Sequence, residues 1–331
     1  MNLKDTLEII LVTYNRKKYL QHTLEQLFDE KSPVKNLDFI ILDNASTDGS
    51  SELIESYCIK FSNIKHVRRP RNIGGNANIA NAFALVTKKY YWVICDDDEF
   101  NFSAWQEVED AIKAEYDIIM LNPSRIVGDM TLPRILNGTS FLPSVIGKSE
   151  NITEAVLYDA FENVSNWFPQ LAPVCAVINK KGRIYVMSQD IVYDTLNEIK
   201  GSCPGYKKIE GISREAKYKF FYPCYVNSLY LIQDKKLRAE LIDDFFSIYI
   251  VKRDFICNIE DLVKGTYNYL MPLTVMTFRQ KIKFLFFVSF IHMLYLFGFR
   301  SYLWYQFDKT PKWQMKLIKI YQRYFKRKEW R

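Results

Sequence analysis

The sequence predicts an α/β protein whose mostly parallel sheet is covered by helices on both faces and is followed by a helical C-terminal region. Two patterns favour this fold class. Short apolar segments without polar alternation recur through the first third of the chain, which is typical of strands buried on both faces. Amphipathic segments of helical length separate them, as expected for crossover connections between parallel strands.

The predicted elements alternate in order along the chain. We predict strands at 7–14, 37–45, 64–69, 90–95 and 117–122, and helices at 17–30, 50–61, 78–89 and 104–115. Residues 123–150 are interrupted by Gly, Pro and Ser, which predicts turns. After them we predict helices at 152–164 and 166–179, a strand at 183–188 and a long helical region from about residue 234. The chain of 331 residues is long enough for one large domain or two smaller ones.

Cysteine and histidine usage argues against two classes of site. The six cysteines and three histidines are scattered and form no CxxC pair, so neither a zinc site nor a disulfide scaffold is expected. The N-terminal segment carries Asp5 and Glu8 where a signal peptide would be basic, and its apolar run is short for a signal sequence. We therefore expect a cytosolic protein with reduced thiols.

Four polar segments fall at the carboxyl ends of predicted strands. They are residues 13–16, 43–48, 71–75 and 96–98, and together they are called the polar rim below. Ligands of open α/β sheets bind beyond the carboxyl ends of the strands. The convergence of four segments on one edge therefore predicts a ligand site there.

The acid segment of the polar rim, Asp96, Asp97 and Asp98, directly follows the apolar strand YYWVIC and precedes Glu99. Adjacent carboxylates repel one another, so a bound cation is expected to accompany them. Mg²⁺ and Mn²⁺ prefer oxygen ligands and use one or two carboxylates together with phosphate oxygens. The alternative is a solvated loop whose acids favour the N-terminus of the next helix.

Two further segments of the polar rim have the chemistry of nucleotide recognition. Asp43 ends a predicted strand and opens the turn DNASTDGS, where its carboxylate could accept hydrogen bonds from a base or a ribose. In RRPRNIGGNANIAN a glycine pair precedes a helix N-terminus, which favours phosphate. The alternatives are an ordinary capping turn for the first segment and a basic surface turn for the second.

These motifs together resemble the glycosyltransferase family 2 domain of GT-A fold. The resemblance rests on LVTYNR, LDNASTDGS, RNIGGNANIANA and the strand-final DDD, in this order, and it covers residues 6–125. It implies a GT-A domain at 1–230, with a nucleotide-binding half at about 1–125 and an acceptor half at about 126–230. A helical region at 231–331 follows.

The resemblance also implies roles for individual residues. Those that contact the nucleotide or the donor sugar would be Thr13, Tyr14, Asn15, Asp43, Arg71, Asn72, Asp96 and Asp97. The acids at 96–98 would be the DXD motif, with Asp97 and Asp98 binding Mn²⁺ or Mg²⁺. Inverting members of the family use a carboxylate as the base, for which Asp159 and Glu162 are the candidates here. The alternative for these two acids is an exposed helix face.

The C-terminal segment is strongly basic. From Arg279 to Arg331 there are 13 Lys and Arg and two acids, giving 13 − 2 = +11, whereas the whole chain carries +7 and the remainder therefore −4. The apolar run 284–299 is short for a transmembrane helix, so a buried or an interfacial helix is expected. Residues 312–331 predict a basic amphipathic helix, for which an anionic membrane, a folded partner or nucleic acid are possible contacts.

These expectations combine into one functional prediction. The protein would be a metal-dependent, inverting glycosyltransferase of the hexosyltransferase type, with a UDP-sugar favoured as donor. Its acceptor would be a glycan or a lipid-linked glycan in bacterial capsule or O-antigen synthesis. It would act at the cytoplasmic face of the inner membrane as a peripheral or monotopic protein, and no nucleic acid partner is expected. The alternatives are a sugar-phosphate nucleotidyltransferase and a non-catalytic, membrane-bound nucleotide-binding module.

Overall fold

The computed structural model describes residues 2–126, 130–194, 222–245 and 278–296. The strands are β1 (Leu7–Thr13), β2 (Asp38–Asp43), β3 (Ile64–Arg68), β4 (Tyr90–Cys95), β5 (Asp98–Phe100), β6 (Ile118–Met120), β7 (Val145–Lys148), β8 (Ile184–Val186) and β9 (Val192–Asp194). The helices are α1 (Lys17–Leu27), α2 (Ser50–Lys60), α3 (Gly75–Ala84), α4 (Trp105–Lys113), α5 (Leu132–Gly138), α6 (Glu154–Glu162), α7 (Leu171–Asn179), α8 (Tyr222–Ser228), α9 (Lys235–Phe245) and α10 (Phe278–Leu296).

The central sheet has seven strands in the order β3-β2-β1-β4-β7-β6-β8. The first four are mutually parallel, β7 runs antiparallel to both β4 and β6, and β8 runs parallel to β6. A separate antiparallel pair is formed by β5 and β9. The predicted class, a mostly parallel sheet with covering helices, is confirmed.

The absence of alternation in the strands follows from burial on both faces. Every residue of β1 is buried. Leu7, Ile9 and Leu11 pack on one face with α1 and α4, whereas Ile10 and Val12 pack on the other face with α3 and α6. Each such side chain contributes roughly 1.5–3 kcal/mol by leaving water, so this sheet fixes the positions of the strand ends.

Strand β7 is the main element that the sequence pattern missed. The predicted turn region 123–150 contains α5 and β7, and β7 lies between β4 and β6. Its four residues include Gly147, where a Cβ would collide with the ring of Tyr91 on β4. A short strand that needs a glycine for close packing has no apolar pattern of its own, so its position depends on its neighbours.

Ion pairs join α9 to α5 and α10 to α9. Arg134 on α5 lies 3.4 Å from Asp244 on α9, and Lys283 on α10 lies 3.0 Å from Asp243. Within the described residues we find no helix whose length and apolar character would let it cross a bilayer. Residues 297–331, including the predicted basic helix 312–331, lie outside the described residues. The domain boundary near residue 230 stays a prediction.

Candidate functional site

The carboxyl ends of β1, β2, β3 and β4 meet at one edge of the sheet. In the observed register, Thr13 lies beside Asp43, and Asp43 lies beside Arg68. On the other side of β1, Val12 lies beside Cys95, the residue before the acid segment. The sheet register thus brings together two of the four segments of the polar rim directly and places the acid segment next to them.

The first two turns of the rim are interlocked by Asn15. Its backbone N–H donates to the Oγ of Ser46 over 2.9 Å, and its side-chain carbonyl accepts from the backbone N–H of Thr47 over 2.7 Å. Asn15 has a φ of 50°, a left-handed conformation that Asn tolerates better than most residues. Tyr14 beside it remains 40% exposed. Asn15 therefore shapes the edge, while the ring of Tyr14 is available to a ligand.

Asp43 is fully buried and only partly hydrogen-bonded. Its Oδ1 accepts from the backbone N–H of Ser46 over 2.9 Å. Its Oδ2 lies 3.5 Å from Nε of Arg68 and 3.9 Å from Nε2 of His66, and accepts no hydrogen bond from any described residue. Burial by itself would raise the pKa of Asp43, but His66 and Ser46 outweigh it and hold the pKa below its ordinary value. Asp43 is thus a fixed anion with one acceptor atom unused.

The segment 71–75 presents a helix N-terminus. Helix α3 has no side-chain cap, and Gly74 before it adopts a φ of 90° that favours glycine. The side-chain carbonyl of Asn72 accepts from Nδ2 of Asn44 over 2.8 Å and from the backbone N–H of Gly74 over 2.7 Å, which fixes the turn. Arg71 is exposed and has no partner among the described residues. A free guanidinium beside an uncapped helix N-terminus is suited to a phosphate.

The three carboxylates of the acid segment have different partners. Asp96 is 3% exposed, and its Oδ2 accepts from the hydroxyl of Thr13 over 2.6 Å. Nη1 of Arg16 lies 3.2 Å from Oδ1 of Asp96 and 2.8 Å from Oδ2 of Asp97. Asp98 is 2% exposed, and its Oδ2 accepts from the backbone N–H of Cys95 over 2.8 Å. Since two of the three acids are buried, the segment is not a solvated capping loop.

Asp96 and Asp97 of the acid segment share a single guanidinium, that of Arg16. Burial raises the pKa of Asp96 to about 6, and Asp97 adds to this rise although Arg16 and Thr13 oppose it. Burial would lower the pKa of Arg16, but the neighbouring Asp96 and Asp97 outweigh it and raise that pKa. Two carboxylates, those of Asp96 and Asp97, beside one guanidinium leave room for a further cation.

The residues of the acid segment fit a metal site that a ligand completes. Among the residues that the structure describes, no three Asp, Glu, His or Cys side chains form a cation site by themselves. Mg²⁺ and Mn²⁺ nevertheless use as few as one or two carboxylates when phosphate oxygens supply the rest. Asp97, with a side chain 26% exposed, suits this role. One carboxylate oxygen of Asp98 already accepts a hydrogen bond from the backbone N–H of Cys95. The assignment of Asp98 as a metal ligand stays a prediction.

The two candidate bases lie on α6, beside α3. Nδ2 of Asn76, in the first turn of α3, donates to the carbonyl of Val164 over 3.2 Å, so the C-terminal end of α6 lies near the polar rim. Burial and the charge of Glu162 raise the pKa of Asp159, and Glu162 is exposed. The structure shows no contact between either carboxylate and the acid segment within the described residues. Their catalytic assignment stays a prediction.

The sequence did not predict the carboxylate partners of three residues at this edge. Arg16 is the charge partner of the acid segment, and His66 and Arg68 flank Asp43. Arg16 belongs to the first rim segment, so its position was predicted while its partner was not. Arg68 and His66 lie on the strand beside β2, two residues apart and therefore on the same face. A register for β2 and β3 would have found both.

Sequence comparisons identify a related family. Residues 8–155 match the family described as glycosyl transferase family 2. Abequosyltransferase RfbV of Salmonella typhimurium is 28% identical over 109 residues, which are 33% of this chain and 33% of that protein. Minor teichoic acid biosynthesis protein GgaA of Bacillus subtilis is 28% identical over 105 residues, 31% of this chain and 24% of that protein. The matched region thus spans a third or less of these relatives.

Structural comparison extends the similarity beyond this region. The crystal structure of S. aureus TarS 1–349 in complex with UDP-GlcNAc aligns with a TM-score of 0.61 at 17% sequence identity, and the alignment covers 83% of this chain and 82% of that one. A similarity at this level of identity establishes the shared fold. The GT-A architecture that the motifs implied is confirmed.

Proposed function

We propose that this chain is a glycosyltransferase of family 2, whose model residues 8–155 match, and that it transfers a sugar from a nucleotide donor to a glycan or lipid-linked acceptor. The observation that carries this proposal is the convergence of Asp43, the uncapped N-terminus of α3 and the acid segment on one edge of the sheet. These are an acceptor for a base or ribose, a phosphate site and a set of cation ligands, the three kinds of contact that a sugar nucleotide requires.

The donor is proposed to be a UDP-sugar, and the product a bacterial surface polysaccharide. The unused Oδ2 of Asp43 would accept a hydrogen bond from the base, with the ring of Tyr14 beside it. Arg71 and the first turn of α3 would bind the diphosphate. The presence of UDP-GlcNAc in the TarS structure and the naming of GgaA for teichoic acid biosynthesis support both parts of this proposal.

The chemistry proposed is a direct displacement at the anomeric carbon, which inverts its configuration. A carboxylate of α6, Asp159 first and Glu162 second, would accept the proton of the acceptor hydroxyl. Because its pKa is raised, Asp159 is a better proton acceptor than an ordinary carboxylate. Mn²⁺ or Mg²⁺ would neutralise the negative charge of the departing diphosphate. Asp97 would hold the ion, and Asp98 is the further candidate.

Metal-stimulated hydrolysis of UDP-, GDP-, dTDP- and CDP-sugars by the full chain tests the proposal. We expect hydrolysis of one donor class, and we expect Asp159→Asn to lose transfer while it retains donor binding. Activity with a nucleoside triphosphate and a sugar phosphate instead would show a nucleotidyltransferase. Binding of UDP without turnover of any donor or acceptor would show a non-catalytic nucleotide-binding module.

We also propose that the protein works on an anionic membrane surface at the cytoplasmic face of the inner membrane. Helix α10 exposes a row of apolar side chains at helical spacing: Phe278, Ile282, Leu285, Phe286, Met293 and Leu296. Arg279 and Lys283 are exposed on the same helix, and the basic segment to residue 331 follows. An apolar stripe with flanking cations is typical of interfacial helices.

Flotation with vesicles tests this surface. The full chain should float with vesicles that contain phosphatidylglycerol and not with vesicles of phosphatidylcholine alone. Leu285→Gln with Phe286→Gln should weaken flotation, and deletion of residues 301–331 should weaken it further. Ile59→Gln, which removes an exposed apolar side chain of α2, is the matched control. Equal binding to both vesicle types would contradict the proposal.

A further inference from the structure

Arg16 occupies the place that a cation would take at the acid segment. A single nitrogen, Nη1, lies 3.2 Å from Asp96 and 2.8 Å from Asp97. The guanidinium carbon lies 5.9 Å from the centre of the Tyr19 ring, whose face favours a cation. Arg16 retains 29% exposure of its side chain, so a ligand at the rim can reach it.

A divalent ion on the same oxygen of Asp97 would lie close to this guanidinium. Mg²⁺ binds carboxylate oxygens at about 2.1 Å, so it would stand within roughly 5 Å of Nη1, given the 2.8 Å contact. Two cations at this separation repel each other, and the repulsion is weakly screened beside the buried carboxylate of Asp96. Either the ion binds weakly or Arg16 moves.

The diphosphate of a nucleotide offers Arg16 another partner. A guanidinium binds phosphate oxygens with charge-assisted, often bidentate hydrogen bonds. The structure also places Arg16 on the first rim segment, next to Asn15 and Tyr14, where the nucleotide is proposed to bind. A diphosphate there would attract both the metal ion and the guanidinium.

We infer that Arg16 is the resident counter-cation of the acid segment and competes with the divalent ion for Asp97. Metal binding is weak in the free protein and becomes tight when a nucleotide diphosphate draws Arg16 away from Asp97. Arg16 is thus a positioning residue that couples metal binding to donor binding. This inference rests on the proposed metal site and deepens it.

Mn²⁺ titration of the full chain without nucleotide tests this competition. Electron paramagnetic resonance measures the free ion directly and requires no sugar transfer. Arg16→Gln should bind Mn²⁺ at least about tenfold more tightly than the unmodified chain, because it removes one positive charge near the ion. Arg16→Lys keeps the charge and should stay within about threefold of the unmodified chain. Lys89→Gln removes a charge from a distant surface pair with Glu115 and should change nothing.

The outcomes separate this inference from the proposed function. Unchanged or weaker Mn²⁺ binding by a folded Arg16→Gln protein overturns the competition. If Asp97→Asn binds Mn²⁺ as the unmodified chain does, the metal site itself is misplaced, whatever Arg16 does. Should Arg16→Gln fail to fold, ¹⁵N-arginine spectra of the unmodified chain replace it, with the Arg16 signal identified by Arg16→Lys. Addition of Mg²⁺ and UDP must shift that signal, and a fixed signal contradicts the inference.

Discussion

An aspartate lies at the carboxyl end of both β2 and β4, yet the pKa values of the two are shifted in opposite directions. Asp43 lies among a backbone N–H, His66 and Arg68, and its pKa is lowered. Asp96 lies beside Asp97 with one guanidinium between them, and burial raises its pKa to about 6. Both carboxylates lie at the same edge of the sheet, but the neighbours of Asp43 outweigh the effect of burial on its pKa and those of Asp96 do not.

The two strand ends are therefore suited to different interactions. The surroundings of Asp43 stabilise its negative charge, and its buried Oδ2 accepts no hydrogen bond from a described residue. Asp96 and Asp97 share one guanidinium and keep a surplus of negative charge that a cation would relieve. Specific recognition is expected at β2, and charge neutralisation at β4.

The largest effect is expected from Asp97→Asn. The substitution keeps the shape of the side chain and removes the charge that the proposed metal site requires. We expect Mn²⁺-dependent UDP affinity to fall by about 100-fold, or about 2.7 kcal/mol. Isothermal titration with and without Mn²⁺ measures it, and UDP binding without Mn²⁺ should change much less. An equal loss under both conditions would contradict the metal assignment and weaken the contrast with Asp43.

The second effect is a change in how the unfolding free energy depends on pH, since the pKa of Asp96 is raised and that of Asp43 is lowered. The pKa of Asp96 is about 6 in the folded state and near 3.8 in the unfolded state. The stabilising contribution of Asp96 is therefore complete below pH 3.8 and is lost as pH rises through about 6. Between pH 4 and pH 7, the unfolding free energy of Asp96→Asn should rise by roughly 2–3 kcal/mol relative to that of the unmodified chain.

Asp43→Asn should show the opposite pH dependence. The lowered pKa of Asp43 contributes stability above pH 3.8, and this contribution is lost as pH falls through the folded value. The stability difference between Asp43→Asn and the unmodified chain should therefore shrink below pH 3.8. Urea unfolding at several pH values measures both variants. Parallel pH profiles would remove the electrostatic contrast between the two strand ends.

The third effect is the loss of nucleotide recognition in Asp43→Asn. One charged hydrogen bond contributes about 1.5 kcal/mol, so UDP should bind about tenfold more weakly. This loss should be the same with and without Mn²⁺, in contrast to Asp97→Asn. Calorimetry of both variants under both conditions checks it. A loss confined to Mn²⁺-containing buffer would place Asp43 with the metal.

The smallest effect is expected from Thr13→Val. The substitution preserves the shape of the side chain and removes the hydroxyl that donates to the buried Oδ2 of Asp96 over 2.6 Å. We expect the protein to lose about 1 kcal/mol of unfolding free energy at pH 7. The loss should decrease near pH 5, where Asp96 binds a proton. A loss that does not depend on pH would indicate a packing defect.

Much of the site was predictable because local pattern determines where strands end. Unbroken apolar runs placed β1, β2 and β4 within one or two residues, and the polar residues after them therefore fell on one edge. Strand β7 was not predictable, because its four residues depend on the packing of Gly147 against Tyr91. The hydrogen bond that Asp98 accepts from the backbone N–H of Cys95 was not predictable either, because the sequence does not show side-chain direction.

Local sequence pattern accounts for the strand ends, the order of the polar segments and the excess of acids after β4. Which charges meet depends on the tertiary structure. Thr13 and Asp96 are 83 positions apart along the chain, and their hydrogen bond exists because β1 and β4 are neighbours in the sheet. Arg16 and Asp97 are 81 positions apart and meet for the same reason. Electrostatic energy depends on distance in space. Charged residues that are far apart in the sequence therefore form a candidate site only because the sheet brings them together.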